Sequence, residues 1–113
     1  MKRRELVLIG TMLTAILFGS SGAISPANAD DAKVNIDNFT FSPAQITVAP
    51  GTKVTWENRD DIPHTVTDAG NPRTFKSPAL DTGDSYSYVF SAPGTYHYFC
   101  SIHPHMQGTV VVK

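Results

Sequence analysis

Cys100-Ser101-Ile102-His103-Pro104-His105-Met106 puts a thiol, an imidazole and a thioether within one short run. Cys100 is the only cysteine in the 113 residues. Thiolate and thioether suit Cu(I), whereas imidazole suits both copper oxidation states. A mixed set therefore limits the rearrangement needed when one electron moves. His64 offers a second imidazole from a distant part of the chain. His64, Cys100, His103 and Met106 together supply two imidazoles, one thiolate and one weak axial thioether, the donor set of a blue-copper electron-transfer site holding one copper ion. Cys100 has to ligate as the thiolate, and a bound metal favours that form. Pro63 before His64 and Pro104 after His103 remove backbone freedom beside two of the ligands.

Singly, these residues say little. Met106 alone reads as a core gap-filler, and His64 alone as a surface or turn residue. Their combination with a lone thiol is what points to a metal. His97 falls on the opposite strand face from Tyr96 and Tyr98 and reads as solvated. His105 lies between two ligands and reads as a surface residue near the copper, able to shift local charge as pH falls or to contact a partner. Three rival chemistries exist. A cysteine-nucleophile enzyme needs a histidine base, an orienting group and a pocket, and nothing beyond Cys100 and His103 completes that set. Zinc rarely uses a thioether. A copper carrier or storage protein without an electron-transfer role uses similar soft donors and remains the alternative.

Something rigid has to bring His64 to the 100–106 run, and the periodicity is that of strands. Val34 and Ile36, then Phe39 and Phe41, alternate with polar residues. Ile46 with Val48, Val54 with Trp56, Tyr86 with Tyr88 and Phe90, Tyr96 with Tyr98, and Val110 with Val112 continue the pattern. Trp56 and Phe41 are core candidates. No window supports an amphipathic helix of useful length, and prolines punctuate the segments. The expectation is an all-β domain, a sandwich or barrel of short strands. Ala-Pro-Gly-Thr occurs at 49–52 and again at 92–95, and each copy predicts a type II turn that launches a strand. With both turns at one end, both strands run to the opposite end, where His64 and Cys100 meet. Residues 69–84 are the least regular part; Phe75 and Leu80 are expected to pin them, with a short edge strand near Thr74–Ser77.

The beginning of the chain is of a different kind. Lys2, Arg3 and Arg4 precede an apolar run from Leu6 to Phe18, and Ala27-Asn28-Ala29 follows. This predicts a cleaved signal peptide over residues 1–29 and an exported domain over 30–113. The apolar run is short for a membrane span, which needs about 20 residues, so no membrane insertion of the mature chain is expected. Arg3-Arg4 leaves the twin-arginine route open. Without residues 1–29, six Lys/Arg stand against nine Asp/Glu, a net charge of −3. That mildly acidic balance argues against a nucleic-acid partner. A domain of this size buries roughly 60–65% of its surface, and one cysteine allows no internal disulfide, so the unpaired thiol implies an intermolecular bridge, a reactive site or a metal.

Strand-Cys-x-x-His-x-x-Met, with Pro63-His64 in an earlier loop, resembles the small cupredoxins. The short ligand loop is most like that of the amicyanins; plastocyanins and pseudoazurins have two more residues between the second His and the Met. The similarity extends over Phe-x-Phe-x-Pro at 39–43, Val-Ala-Pro-Gly-Thr at 48–52, Trp-x-Asn-Arg at 56–59, Tyr-Ser-Tyr at 86–88, Pro-Gly-Thr-Tyr at 93–96 and Gly-Thr-Val-Val-Val at 108–112. The resemblance implies a Greek-key β-sandwich, one copper on the four ligands, and His103 as the partly exposed electron portal. It implies a monomeric periplasmic carrier cycling Cu(II)/Cu(I) without catalysis of its own. Its partners would be redox proteins, a c-type cytochrome or a periplasmic dehydrogenase or other oxidoreductase. Amicyanins carry an N-terminal extension that this chain lacks, so the same dehydrogenase is not implied. Thr65, Ser101 and Ile102 stand directly behind the ligands. Thr65 replaces a common Asn and is expected to tie the two ligand loops through its hydroxyl. Ile102 replaces a common Pro and keeps an N–H that could donate to the Cys100 sulfur.

Overall fold

The computed structural model describes residues 31–113; the export-signal expectation for residues 1–29 lies outside them. Eight strands make up the described chain: β1 Asp31–Asp37, β2 Thr40–Ser42, β3 Gln45–Val48, β4 Thr52–Asn58, β5 Thr67–Asp68, β6 Ser85–Phe90, β7 Gly94–Phe99 and β8 Gln107–Val112. They form two four-stranded sheets, in the orders β2-β1-β4-β6 and β3-β8-β7-β5. β1 runs parallel to β4, with Val34 beside Trp56, and β3 runs parallel to β8, with Val48 beside Val112. The remaining pairs are antiparallel. Most connections pass from one sheet to the other, giving the Greek-key sandwich.

Alternation drives the two sheets together. Val34 and Ile36 of β1, Val54 and Trp56 of β4, Phe90 of β6, Tyr98 of β7, and Val110 and Val112 of β8 all point inward and are buried. Trp56 is the centre of the aromatic core, with ring centroids 5.3 Å from Tyr98, 5.9 Å from Phe75 and 6.3 Å from Phe90. Phe41 packs on Tyr98 at 4.7 Å. Among the described residues no helix is long and apolar enough to cross a membrane.

The register sets up two poles. Thr52 pairs with Phe90 and Gly94 with Val112, so both Ala-Pro-Gly-Thr copies lie at one end. The first is the expected turn: Gly51 has φ 93° and the Thr52 N–H donates to the Ala49 carbonyl at 3.2 Å. The second differs. Gly94 already belongs to β7, and the Ala92 carbonyl accepts from the Tyr96 hydroxyl at 2.7 Å. β4 and β7 then carry the chain to the far pole, ending at Asn58 and Phe99.

Residues 69–84 are less loose than their composition predicts. In place of an edge strand at Thr74–Ser77, single bridges join Thr67 to Lys76 and His64 to Leu80. Ser77 N–H donates to the Val66 carbonyl and Asp68 N–H to the Phe75 carbonyl. Phe75 and Leu80 are buried and hold the segment to the core. Phe39 is not the inward strand residue that the alternation predicts. β1 ends at Asp37, and Asn38 and Phe39, with φ 53° and 57°, form the turn into β2.

Candidate metal centre

Each donor arrives by a different structural route. Asn58, buried at the end of β4, donates through Nδ2 to the carbonyls of Ile62 and Leu80 at 2.9 and 2.8 Å, and its Oδ1 accepts the Asp60 N–H at 2.9 Å. This clamp shapes the 59–63 loop and holds Leu80 beside His64. His64 exchanges two backbone bonds with Leu80, at 3.1 and 2.8 Å, and is fully buried. Cys100 follows β7 directly and is also fully buried. The loop after it is closed by its own backbone: His103 N–H donates to the Cys100 carbonyl, Met106 N–H to the His103 carbonyl, and Cys100 N–H to the Met106 carbonyl at 3.1 Å. Met106 is buried and His103 is half-buried.

The ligand atoms of His64, Cys100 and His103 all lie within 4.8 Å of one another. Cys100 Sγ is 3.7 Å from Nδ1 of His64 and 3.7 Å from Nδ1 of His103. Metal bonds of about 2.0–2.3 Å meeting at about 110–120° separate sulfur and nitrogen by about 3.6–3.8 Å, so these three atoms fit around one ion. The His64 tautomer suits ligation. Its Nε2 stands 2.7 Å from an Asp60 carboxylate oxygen, which can only accept, so Nε2 carries the proton and the Nδ1 lone pair faces the sulfur. Burial alone would push the Asp60 carboxyl up; the Phe39 and Asn38 amides and the His64 imidazole outweigh it and hold that carboxyl below the usual range. Asp60 was not a candidate from sequence, because Arg59-Asp60-Asp61 reads as a solvated charged turn.

Behind the ligands, the Thr65 hydroxyl accepts the Ser101 N–H at 2.7 Å and lies 2.9 Å from the Ser101 hydroxyl. It thereby joins the loop of the first ligand to that of the other three. The amide that donates to Cys100 Sγ is that of Thr65, at 3.3 Å. Ile102, whose N–H offered itself for that bond, corrects the expectation: it follows Ser101 around the outside of the loop and turns an exposed side chain to solvent. His97 is exposed, with Nδ1 3.2 Å from the Thr109 hydroxyl, and His105 is exposed beside the loop; neither belongs to the donor cluster. Soft and borderline donors buried at one pole of a stiff sandwich form a single-copper centre of the blue electron-transfer kind.

Comparison with known proteins agrees. Residues 28–113 match the family described as "Copper binding proteins, plastocyanin/azurin family". Amicyanin-alpha of Methylorubrum extorquens is 35% identical over 102 residues, covering 88% of this chain and 86% of that protein. The chloroplastic plastocyanin of Tetradesmus obliquus is 34% identical over 108 residues, covering 84% and 74%. Among solved structures, a purple cupredoxin from Nitrosopumilus maritimus superposes with a TM-score of 0.69 at 35% identity, over 73% of this chain and 99% of that one. With the fold, the donor set and its spacing in agreement, this chain belongs to the plastocyanin/azurin family of copper-binding cupredoxins.

Proposed function

We propose that the protein is a periplasmic electron carrier, cut after Ala29, in which His64, Cys100, His103 and Met106 hold one copper and His103 passes the electron. The observation that carries this reading is the meeting of two Nδ1 atoms and the lone Sγ within 4.8 Å. When bound, copper supplies the one-electron Cu(II)/Cu(I) couple. The chain's own part is to hold the donors still. Asp60 fixes the His64 ring, and the Leu80 bridge fixes its backbone. The Thr65 N–H steadies charge on the Cys100 sulfur. The closed 100–106 backbone sets where His103 and Met106 stand, and Thr65 locks that loop to the first ligand. Held in this way, the donors need little movement between oxidation states.

His103 is the portal because it is a half-buried ligand at the pole, whereas His64 and Cys100 are sealed from solvent. Redox proteins would dock there briefly and weakly, as transient electron-transfer partners do; a c-type cytochrome or a periplasmic dehydrogenase fits that role. The protein then carries charge between enzymes and catalyses no reaction of its own. Adding Cu(II) to the purified metal-free protein tests the reading. It should give an intense blue thiolate-to-copper absorption that bleaches on reduction and returns on oxidation. A colourless complex formed only with Cu(I) would instead make the protein a copper carrier or store.

A further inference from the structure

Neither of the usual reasons for a large aromatic applies to Phe39. Its side chain is 46% exposed, so core burial does not hold it there. Its backbone is left-handed, φ 57° after Asn38 at 53°, a conformation that bulky residues avoid. The turn is held from outside by Asp60. The two oxygens of that carboxylate accept the Asn38 N–H at 2.6 Å and the Phe39 N–H at 2.9 Å, and the second oxygen also accepts from His64 Nε2. One carboxylate thus fixes the turn and the first imidazole in a common frame. In that frame the Phe39 ring meets both imidazoles edge-to-face. It lies 5.5 Å from His64 with 86° between the planes, and 5.1 Å from His103 with 90°. Perpendicular rings at such separations are a favoured aromatic arrangement. The two imidazoles differ in their other support. His64 is buried with Asp60 behind it, whereas His103 is half-buried, on a loop, and no described residue takes a corresponding bond from its Nε2.

We propose that Phe39 is a positioning residue for the metal centre. Its ring braces the two imidazoles, His103 above all, in the orientation that turns Nδ1 toward Cys100 Sγ, and so slows the loss of copper. The idea rests on the ligand assignment made above. Phe39→Leu keeps the apolar bulk without the flat ring, and Phe39→Ala removes both. Val89→Ala, at another exposed apolar side chain near the opposite pole, is the control. Copper release from the reduced, loaded proteins is timed by the colour that forms with excess bathocuproine, a Cu(I) chelator. Phe39→Ala should release copper about three- to ten-fold faster than the unaltered protein, the range for losing one aromatic contact, with Phe39→Leu between them and Val89→Ala unchanged. The relative heights of the two visible bands of the Cu(II) form, which report ligand geometry, should shift in Phe39→Ala, while the unfolding midpoint of the metal-free protein stays put. Release within two-fold of the unaltered protein would overturn the brace. So would equal acceleration in Val89→Ala, or acceleration matched by lost metal-free stability. An unaltered protein that takes up no blue copper would overturn the ligand assignment and the brace together, whereas a blue one with indifferent Phe39 variants would overturn the brace alone.

Discussion

At the scale of single residues, the informative contact is the one between Asp60 and His64 Nε2, 2.7 Å long. An anionic acceptor on the outer nitrogen makes the imidazole a stronger donor through Nδ1, and a stronger donor favours the more highly charged oxidised metal. Asp60→Asn removes the charge and keeps one acceptor oxygen, enough for one of the two neighbouring amides. The expected outcome is a midpoint potential raised by on the order of 50 mV, near the 59 mV that a tenfold change represents for one electron, measured by cyclic voltammetry. An unchanged or lowered potential would contradict it. The four donors themselves were legible in the sequence, since thiol, thioether and imidazole advertise their chemistry wherever they stand. Asp60 was not, because a carboxylate between an arginine and another aspartate is ordinary on a surface. Only the 59–63 loop, folded under Asn58, turns it inward. The donor to the sulfur was misplaced for a related reason: which amide points at Sγ depends on the approach of a second loop 35 residues away, and local spacing carries no trace of that.

At the scale of strands and loops, Asn58 is the joint on which His64 depends. It serves the Ile62 and Leu80 carbonyls and the Asp60 amide from a fully buried position. Asn58→Ala takes the Asn58 partner from the Ile62 carbonyl and the Asp60 amide, leaves the Leu80 carbonyl with the His64 N–H alone, and should cost about 1–3 kcal/mol, read from the urea midpoint of the metal-free protein. It should also loosen copper binding, because the loop it clamps carries His64. A second test lies in β8. A Cβ at Gly108 would stand 2.3 Å from the Tyr98 ring, and Tyr98 is itself buried among aromatics with nowhere to retreat. Gly108→Ala should therefore cost about 1–3 kcal/mol by overpacking, seen as an earlier unfolding midpoint. The strands around Trp56 were readable because one buried face imposes a period of two. The turn at Asn38-Phe39 was not. Phe39 alternates with Phe41 as a strand residue would, and only the reach of Asp60 to two successive amides makes a left-handed turn hold there. Likewise, the second Ala-Pro-Gly-Thr becomes a strand start because Gly94 is recruited by Val112 of the neighbouring strand.

For the molecule as a whole, the metal and the fold should stabilise one another. A ligand that binds only the native state adds about 4 kcal/mol when present at a thousandfold its dissociation constant. Stripping copper should lower the thermal midpoint by many degrees, and restoring it should recover the loss; scanning calorimetry on matched samples decides this. Alkali offers a second whole-molecule test. Burial pushes the Tyr98 hydroxyl up to about 12, against about 10 in an unfolded chain. The fold favours the neutral phenol, so its contribution is complete below about pH 10 and is lost as pH climbs through about 12. Unfolding midpoints across that range should fall, and Tyr98→Phe should flatten the fall. Tyr86, shifted the same way by partial burial, supplies a remainder.

The parallel pairings have a temporal meaning as well. β3 joins β8 across more than half of the described chain, and β8 is flanked on both sides within its sheet. Until that late segment is available, β3 has no neighbour in its sheet and the sandwich cannot close. A polypeptide still being synthesised therefore stays open until β8 has emerged. Cys100 and His64 come together only afterwards, so copper capture follows closure of the two sheets.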